Sequence, residues 1–523
     1  MLNRILNFRR DEKILRRFYR SIPDLENPRG KVLLYAGISS MFVTHLEILL
    51  FHLLRKNGFD VDYLVYDGAA PIFETVTNKT PDPDTAPKRN WRYGKRMLEA
   101  ASVQHYNIPI SSHANKIVED LVDIDSIMRF EYEGIDFGNI VHGTLCRYYQ
   151  ATEFGRDVDS VARKMLRTAL SNYLCAKDRH SKYEYDFMLF SHGINITWQP
   201  VVEFCRRNQV PFVCYDRAKV KEHCNFNMNH SSADWSFDSA WARYADRELS
   251  SDELATAQRY LQDRELQQGD VFAFNSAPRA ENVVSEKLRL GIPADRKCIT
   301  FFSNLIWDAA NVSRDIAFTS FLDCLVKSIE YFADRRDVQI LIRPHPAETL
   351  IGTQAGYWDL VTDHFGNDLP DNVTLISPQD EVNSFTMIDI STIGVVNTST
   401  VGLEMAMLGK QTLLVAETHY RGKGFTNDVT SPEHFFESAE NALKDPSLSE
   451  TKRQLAMKYF YMMMFLYQKH MPVRYQDNRF AGYSSATFDD LDPSEPIVRI
   501  VDQLVEGLPD DFVEWSVASG AAG

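Results

Sequence analysis

The chain has 523 residues, a formal net charge of −15, 44% hydrophobic residues and 25% charged residues. That length calls for two domains or one large two-lobed unit, and the acidic balance excludes a molecule that seeks nucleic acid as a whole. The seven cysteines (Cys146, Cys175, Cys205, Cys214, Cys224, Cys298, Cys324) include no CxxC pair, which argues against a disulfide frame or a zinc site and for a reducing compartment.

The first twenty residues run against the acidic balance. They carry Arg4, Arg9, Arg10, Lys13, Arg16, Arg17 and Arg20 among apolar Leu2, Ile5, Leu6, Phe8, Ile14, Leu15, Phe18 and Tyr19. Residues 1–24 therefore read either as a basic amphipathic helix resting on an anionic membrane or as a surface helix packed on its own domain. No signal-peptide-like apolar region opens the chain, and the apolar runs 42–54 and 459–467 are too short or too polar to span a bilayer. The expected location is the cytoplasm, with peripheral contact to the inner face of the cell membrane as an extension of the first reading.

After Pro28-Arg29-Gly30, KVLLYAGISS reads as a buried strand, FVTHLEILLFHLLRKNG as a helix closed by Gly58, and FDVDYLVYDG as a second strand. This is a β-α-β unit with a parallel sheet as its outcome. Residues 71–95, rich in Pro, Thr and Asn, read as a long loop. YDFMLFSHG (185–193) and VPFVCYD (210–216) are further strands around a helix near 198–208. Residues 25–235 thus form a Rossmann-like domain, expected to hold the acceptor, and 236–295 a helical connector. A second α/β set occupies 296–450: KCITFFSNLIWD, the helix SFLDCLVKSIEYFADRRD, and the strands VQILIRPHP, DNVTLISP, IGVVNTST and QTLLVAE. Residues 451–523, opened by the helical pattern TKRQLAMKYFYMMMFLYQKHMPVRY (451–475), read as helices bridging back to the first domain.

The chemistry gathers where apolar runs stop. Arg343-Pro344-His345-Pro346 follows VQILI at once, and two prolines around one histidine forbid helix and fix its exit angle. IGVV ends at Asn397-Thr398-Ser399-Thr400, and a helix opens with Gly402-Leu403-Glu404-Met405. Hydroxyls and backbone N–H groups at a helix start suit an anion, and strand C-termini are the ligand crevice of an open α/β sheet. A nucleotide mono- or diphosphate fits both. His345 is expected to donate a hydrogen bond or proton to a leaving phosphate, against the plainer role of capping a turn. Ser399 and Thr400 are phosphate ligands or simple N-caps. Arg343 reaches phosphate or pairs with a carboxylate. Glu404 accepts ribose hydroxyls or complements the helix dipole. Asn397, Trp307 and Asp308 complete the nucleotide-binding set, and Gly422, with Gly424, lets backbone approach the donor or serves only a turn.

On the acceptor side, Asp216 ends VPFVCYD and is the first choice for base or nucleophile. Arg217, Lys219 and Lys221 beside it would depress its pKa or bind an acidic acceptor. His192 ends YDFMLFSH in the same way, and loop capping is the plain alternative for each. Glu133 and Asp136 in EYEGIDFG are weaker choices. No Asp-x-Asp pair stands at a strand end: DPD (82–84) lies in the Pro-rich stretch, and FDDLD and PDDF lie near the C-terminus. No metal and no cofactor beyond a nucleotide-sugar substrate is expected.

RPHP followed by NTSTVGLEMAMLGKQTLLV resembles the HP and S/T-S/T motifs of bacterial surface-polysaccharide glycosyltransferases. That group includes capsule polysaccharide biosynthesis proteins, Kdo transferases, and bacterial sialyl- and polysialyltransferases. HYRGKGFTND (419–428) and FFSNLIWDAAN (301–311) are similar to the capsule members, and the similarity extends over residues 295–430. The resemblance implies an α/β fold of GT-B type, two Rossmann-type domains facing an interdomain cleft, with donor-phosphate contacts from His345, Ser399 and Thr400. The HP motif is shared with glycerophosphate polymerases of teichoic-acid synthesis, so it does not name the donor. The acidic D/E-D/E-G motif of the sialyltransferases has only partial echoes here, Tyr66-Asp67-Gly68 and Tyr132-Glu133-Gly134.

The reading is a metal-independent glycosyltransferase that moves a sugar from a nucleotide-activated donor, such as a CMP-linked acidic sugar, to a surface glycan or glycolipid. Its rivals are a glycerophosphotransferase using CDP-glycerol, a UDP-sugar epimerase on the same fold, and a non-catalytic nucleotide-sugar-binding partner in a polysaccharide assembly complex.

Overall fold

Strands without polar alternation belong in the middle of parallel sheets, and KVLLYAG behaves so. In the computed structural model, Val32 to Ala36 of strand β1 (Gly30–Gly37) are all fully buried. The structure describes residues 2–20, 25–37, 41–68, 70–73, 75–82, 85–266, 277–308, 313–476 and 479–515. It divides into two units. The first comprises Met1–Tyr149, Glu153–Trp235 and Tyr467–Phe512, and the second Gln150–Thr152, Ser236–Leu466 and Val513–Gly523.

In the first unit β1 pairs in parallel with β2 (Phe59–Val65), which pairs with β3 (His105–Asn107). On its other side β1 pairs in parallel with β4 (Phe187–Ser191), followed by β5 (Phe212–Arg217). Strand β6 (His223–Met228) and a short strand, Lys469–His470, extend that edge antiparallel. Helix α1 (Leu2–Phe18) packs its apolar side inward: Leu15, Phe18 and Tyr19 are buried, and Phe18 stacks on Tyr483 at 4.0 Å. The packing of the N-terminal segment on its own domain is therefore seen on this face of the helix. Helix α2 (Met41–Lys56) is the one foreseen, and Gly58, at φ +90°, ends it. The loop foreseen over 71–95 is interrupted by helix α3 (Ala86–Ala100). Pro87 sits in its first turn, where a missing N–H costs nothing, so the Pro-rich composition marks a helix start there. A long helix, α4 (Val158–Tyr183), and α5 (Asn195–Asn208) follow.

In the second unit six parallel strands form one sheet. They are β7 (Lys297–Phe302), β8 (Val338–Arg343), β9 (Val373–Leu375), β10 (Ile393–Val396), β11 (Gln411–Leu414) and β12 (Asn427–Asp428). Their order is β9-β8-β7-β10-β11-β12. The chain steps outward from β7 to β9, then returns to lay β10 on the other side of β7. That reversal makes a topological switch point beside β7, where open α/β sheets bind ligands. Helix α6 (Phe321–Phe332) is capped by Ser320, whose hydroxyl accepts from the Asp323 N–H, and buries Phe321, Leu325, Ile329 and Phe332. Residues 236–295 count with this unit rather than standing apart. Helix α7 (Ala347–Ile351) follows β8, α8 (Val401–Met407) follows β10, and α9 (Glu450–Tyr461) runs on as a π-helical turn over Met462–Tyr467. The helix read over 451–475 thus stops at 467, and residues 473–476 are strand. Each unit is an α/β, Rossmann-type body, the fold class expected.

Candidate functional site

The second unit brings three of the foreseen segments to one sheet edge. Arg343 of β8 and Val396 of β10 both lie in register with Phe302 of β7. One step further on, the backbone leaves the sheet at Ser303-Asn304, Pro344-His345 and Asn397-Thr398. These ends are tied together: the Ser303 N–H donates to the Arg343 carbonyl at 3.1 Å, and the Thr398 N–H to Asn304 Oδ1 at 3.4 Å. Ser303 and Asn304 were not singled out as ligands, although the stop of KCITFF at two small polar residues is a visible signal.

His345 is half-buried at the mouth of this edge, and its Nδ1 accepts the Ala347 N–H at 3.1 Å. Because Nδ1 is an acceptor, the neutral ring carries its proton on Nε2, which makes His345 a fixed N–H donor. The same local bond caps the turn into α7, so capping and donation coexist.

Arg343, read as reaching phosphate or pairing with a carboxylate, lies inside the unit. It is 3% exposed and its Nη2 donates to the Val382 carbonyl at 3.0 Å. Burial pulls its pKa down to about 10, against the carboxylates Asp380 and Glu348. Among the described residues its Nε and Nη1 have no hydrogen-bond partner. Glu348, three residues beyond His345 and missed by sequence reasoning, is likewise buried. Desolvation, with Asp359 adding to it and Arg343 opposing it, pushes its carboxyl up to about 7. The carboxyl lies against Gly356, where a Cβ would come within 2.3 Å of Oε2. Arg343 and Glu348 are thus both buried near the histidine, and each keeps a buried polar atom without a hydrogen-bond partner among the described residues.

At the other side of the switch point, Asn397 is buried and its Oδ1 lacks a partner among the described residues. The Ser399 hydroxyl accepts the Val401 N–H at 3.3 Å, and its carbonyl accepts the Tyr420 hydroxyl at 2.5 Å. Thr400 is the residue before α8, with no side-chain capping bond. Glu404 is buried and ion-paired to Arg264 of helix Ser251–Glu265 at 2.6 Å, so one carboxylate oxygen is already occupied. Trp307 is buried with Nε1 donating to the Thr353 hydroxyl at 2.9 Å. The Asp308 N–H donates to the Leu305 carbonyl at 3.1 Å in a turn. Gly422, at φ +75°, has no neighbour within 4 Å of a notional Cβ, so its conformation and not a close approach calls for glycine. Its N–H donates to Asp428 Oδ2 at 2.6 Å.

The first unit gathers a second cluster at the ends of β4 and β5. His192 follows β4 and Asp216 lies in β5. Ser232, which sequence reasoning missed, joins them: its hydroxyl donates to Asp216 Oδ2 at 2.8 Å and its N–H to the His192 carbonyl at 2.7 Å. Burial raises the Asp216 carboxyl above the usual range, with the Ser232 hydroxyl and the Arg217 N–H opposing it. The expected lowering by Arg217, Lys219 and Lys221 is not found, because those side chains are exposed and Arg217 contributes through its backbone. His192 is pushed down to about 3 by burial, with Arg147 adding to it, and its Nδ1 accepts the Ile194 N–H at 3.2 Å. The neutral ring therefore carries its proton on Nε2. Glu133 is committed elsewhere, to the Tyr173 hydroxyl (2.7 Å) and Lys177 (2.5 Å), and Asp136 accepts the Asn139 N–H at 2.8 Å.

No protein-family model matches the chain, and no curated protein matches it. Among solved structures the chain is similar to two KpsC enzymes of Thermosulfurimonas dismutans. For the beta Kdo 2,4 transferase the identity is 14% over 55% of this chain and 82% of that one, with a TM-score of 0.35. For the beta Kdo 2,7 transferase it is 14% over 64% and 89%, also at 0.35. The UDP-GlcNAc 2-epimerase of Neisseria meningitidis matches at 12% identity over 82% of this chain and 95% of its own, with a TM-score of 0.25.

Proposed function

We propose that this protein is a glycosyltransferase that draws a sugar from a nucleotide-activated donor held at the switch point of the second unit. The observation that carries this reading is the convergence of Ser303-Asn304, His345 and Asn397–Thr400 on three adjacent strand ends, with His345 locked as an N–H donor. The resemblance of RPHP and NTST to surface-polysaccharide glycosyltransferases supports it. The donor proposed is a CMP-linked acidic sugar, and the acceptor a surface glycan or glycolipid. Peripheral contact with the inner membrane face belongs to the same reading.

As the bond from sugar carbon to phosphate oxygen breaks and the acceptor oxygen bonds to that carbon, negative charge grows on the phosphate oxygen, and in this reading the His345 Nε2–H donates to it. A preorganised donor of this kind contributes about 10²–10³ in turnover. Asp216 takes the proton of the acceptor hydroxyl. Its burial, which makes it a stronger base than a solvated aspartate, suits that role. Ser232, itself tied to the His192 carbonyl, holds Asp216 in place. Since N–H donors meet the phosphate charge, the proposed reaction needs no metal.

The test is nucleotide release from CMP-, UDP-, GDP- and dTDP-sugars in the presence of oligosaccharide acceptors. Release from one donor class, lost in Asp216→Asn and in His345→Ala while both variants stay folded, is the expected outcome. A folded protein that releases nucleotide from none of them contradicts the proposal.

A further inference from the structure

Helices α1 and α3 lie against each other in the first unit: Phe8 meets Tyr93 at 5.3 Å, and Arg96 pairs with Glu12. On α1 the buried positions are Asp11, Leu15 and Phe18, while Arg9, Lys13, Arg16 and Arg17, with Arg20 just beyond, are exposed. At 100° per residue those five cations fall within an arc of about 100° opposite the buried face. On α3 Gly94, Met97 and Leu98 are buried, and Lys88, Arg89, Arg92 and Lys95 are exposed on the opposite side. Arg9, Lys13, Arg16, Arg17, Arg20, Lys88, Arg89 and Arg92 make no ion pair and no side-chain hydrogen bond among the described residues. Elsewhere in this acidic chain exposed arginines are commonly paired, as Arg206 is with Asp234 and Arg289 with Asp380. Two adjoining helices thus hold unpaired positive charge on the surface of a chain with net charge −15.

We propose that the outward faces of α1 and α3 form one electrostatic docking surface for an anionic lipid bilayer. This deepens the peripheral-contact part of the proposed function, and it does not depend on the reaction. The mode is adhesion without insertion, because the apolar face of α1 is already spent on its own core through Leu15, Phe18 and Tyr19. No helix among the described residues is long and apolar enough to cross a membrane. A single-stranded nucleic-acid reader combines charge with exposed aromatic platforms. Here Phe8, Trp91 and Tyr93 are half-buried, and the exposed charged positions are Lys and Arg apart from Glu99, which pairs with Lys95 at 3.8 Å, so the surface offers net positive charge without exposed aromatic rings. Mobile anionic headgroups gather under such a surface, each cation strengthening binding about fivefold at low salt.

The experiment is co-sedimentation of the full chain with phosphatidylcholine vesicles, with and without phosphatidylglycerol, at low and high salt. Capture by the anionic vesicles alone, abolished by high salt, is expected. The triple variant Lys88→Glu, Arg89→Glu, Arg92→Glu lies wholly on exposed positions of α3, so it folds, and it weakens capture at least a hundredfold. Equal capture by neutral vesicles, salt-insensitive capture, or full binding by the triple variant would overturn the proposal. So would retention on heparin with no vesicle capture, which points to an anionic polymer as the partner. Nucleotide release is unaffected by this outcome, so failure here leaves the glycosyltransferase reading separately testable.

Discussion

His345 and His192 hold the same local geometry in two different sheets. Each stands just past a strand end, and each Nδ1 accepts the backbone N–H two residues on. Local capping thereby fixes the tautomer and leaves Nε2–H as a donor. His345→Gln retains a side-chain amide donor, so it is expected to keep more kcat than His345→Ala, which loses about 10²–10³. Equal losses in the two variants, measured in the donor assay, would mean that donation is not the role. For Glu348 the sign is that of a carboxyl raised in the folded state, from 4.5 to about 7. Its stabilising contribution is complete below about pH 4.5 and is lost as pH rises through 7, by at most about 3 kcal/mol. Glu348→Gln should therefore flatten the decline in stability between those pH values, as read by denaturant titration at each pH. The sequence displayed His345 through its proline brackets. It did not display the burial of Arg343 or the raised Glu348, because both depend on what packs over α7, which is set by residues as distant as Gly356 and Val382.

At the scale of elements, the switch point is held by the contact between α8 and the loop bearing Tyr420. A Cβ at Gly402 would lie 2.6 Å from the Tyr420 hydroxyl and 2.9 Å from Val396 Cγ2. Gly402→Ala must displace Tyr420 and break its bond to the Ser399 carbonyl. The expected cost is about 1–3 kcal/mol, seen in thermal unfolding, together with weaker nucleotide binding. An unchanged melting point would show that Tyr420 is not pinned there. The strands were legible because parallel, doubly buried segments appear as unbroken apolar runs, as KVLLY and VQILI do. Helix α3 was not, since Pro87 at its start reads equally well as loop. Nor was the end of α9, where the apolar run Met462–Tyr467 continues past the last α-helical turn as a π-helical one. Apolar composition fixes burial there but not helix type. Ser232 carries no sequence signal, because it reaches Asp216 only through the return of β6 against β5.

At the scale of the whole molecule, two Rossmann-type units were readable from the spacing of their strands. The path of the C-terminal part, with residues 467–512 belonging to the first unit, was readable only in outline. Phosphate charge met by N–H donors predicts that EDTA leaves turnover unchanged, and a loss restored by a divalent cation would show that a metal takes part. The central claim is nucleotide binding at the second unit's switch point. It is tested most directly by ligand-observed NMR of the purified chain against CMP, CDP, UDP, GDP and dTDP, repeated on His345→Ala. Selective binding of one nucleotide class, CMP foremost, weakened by the substitution, is the result expected. Absence of binding by the folded chain to all five, or binding that His345→Ala leaves unchanged, would contradict it.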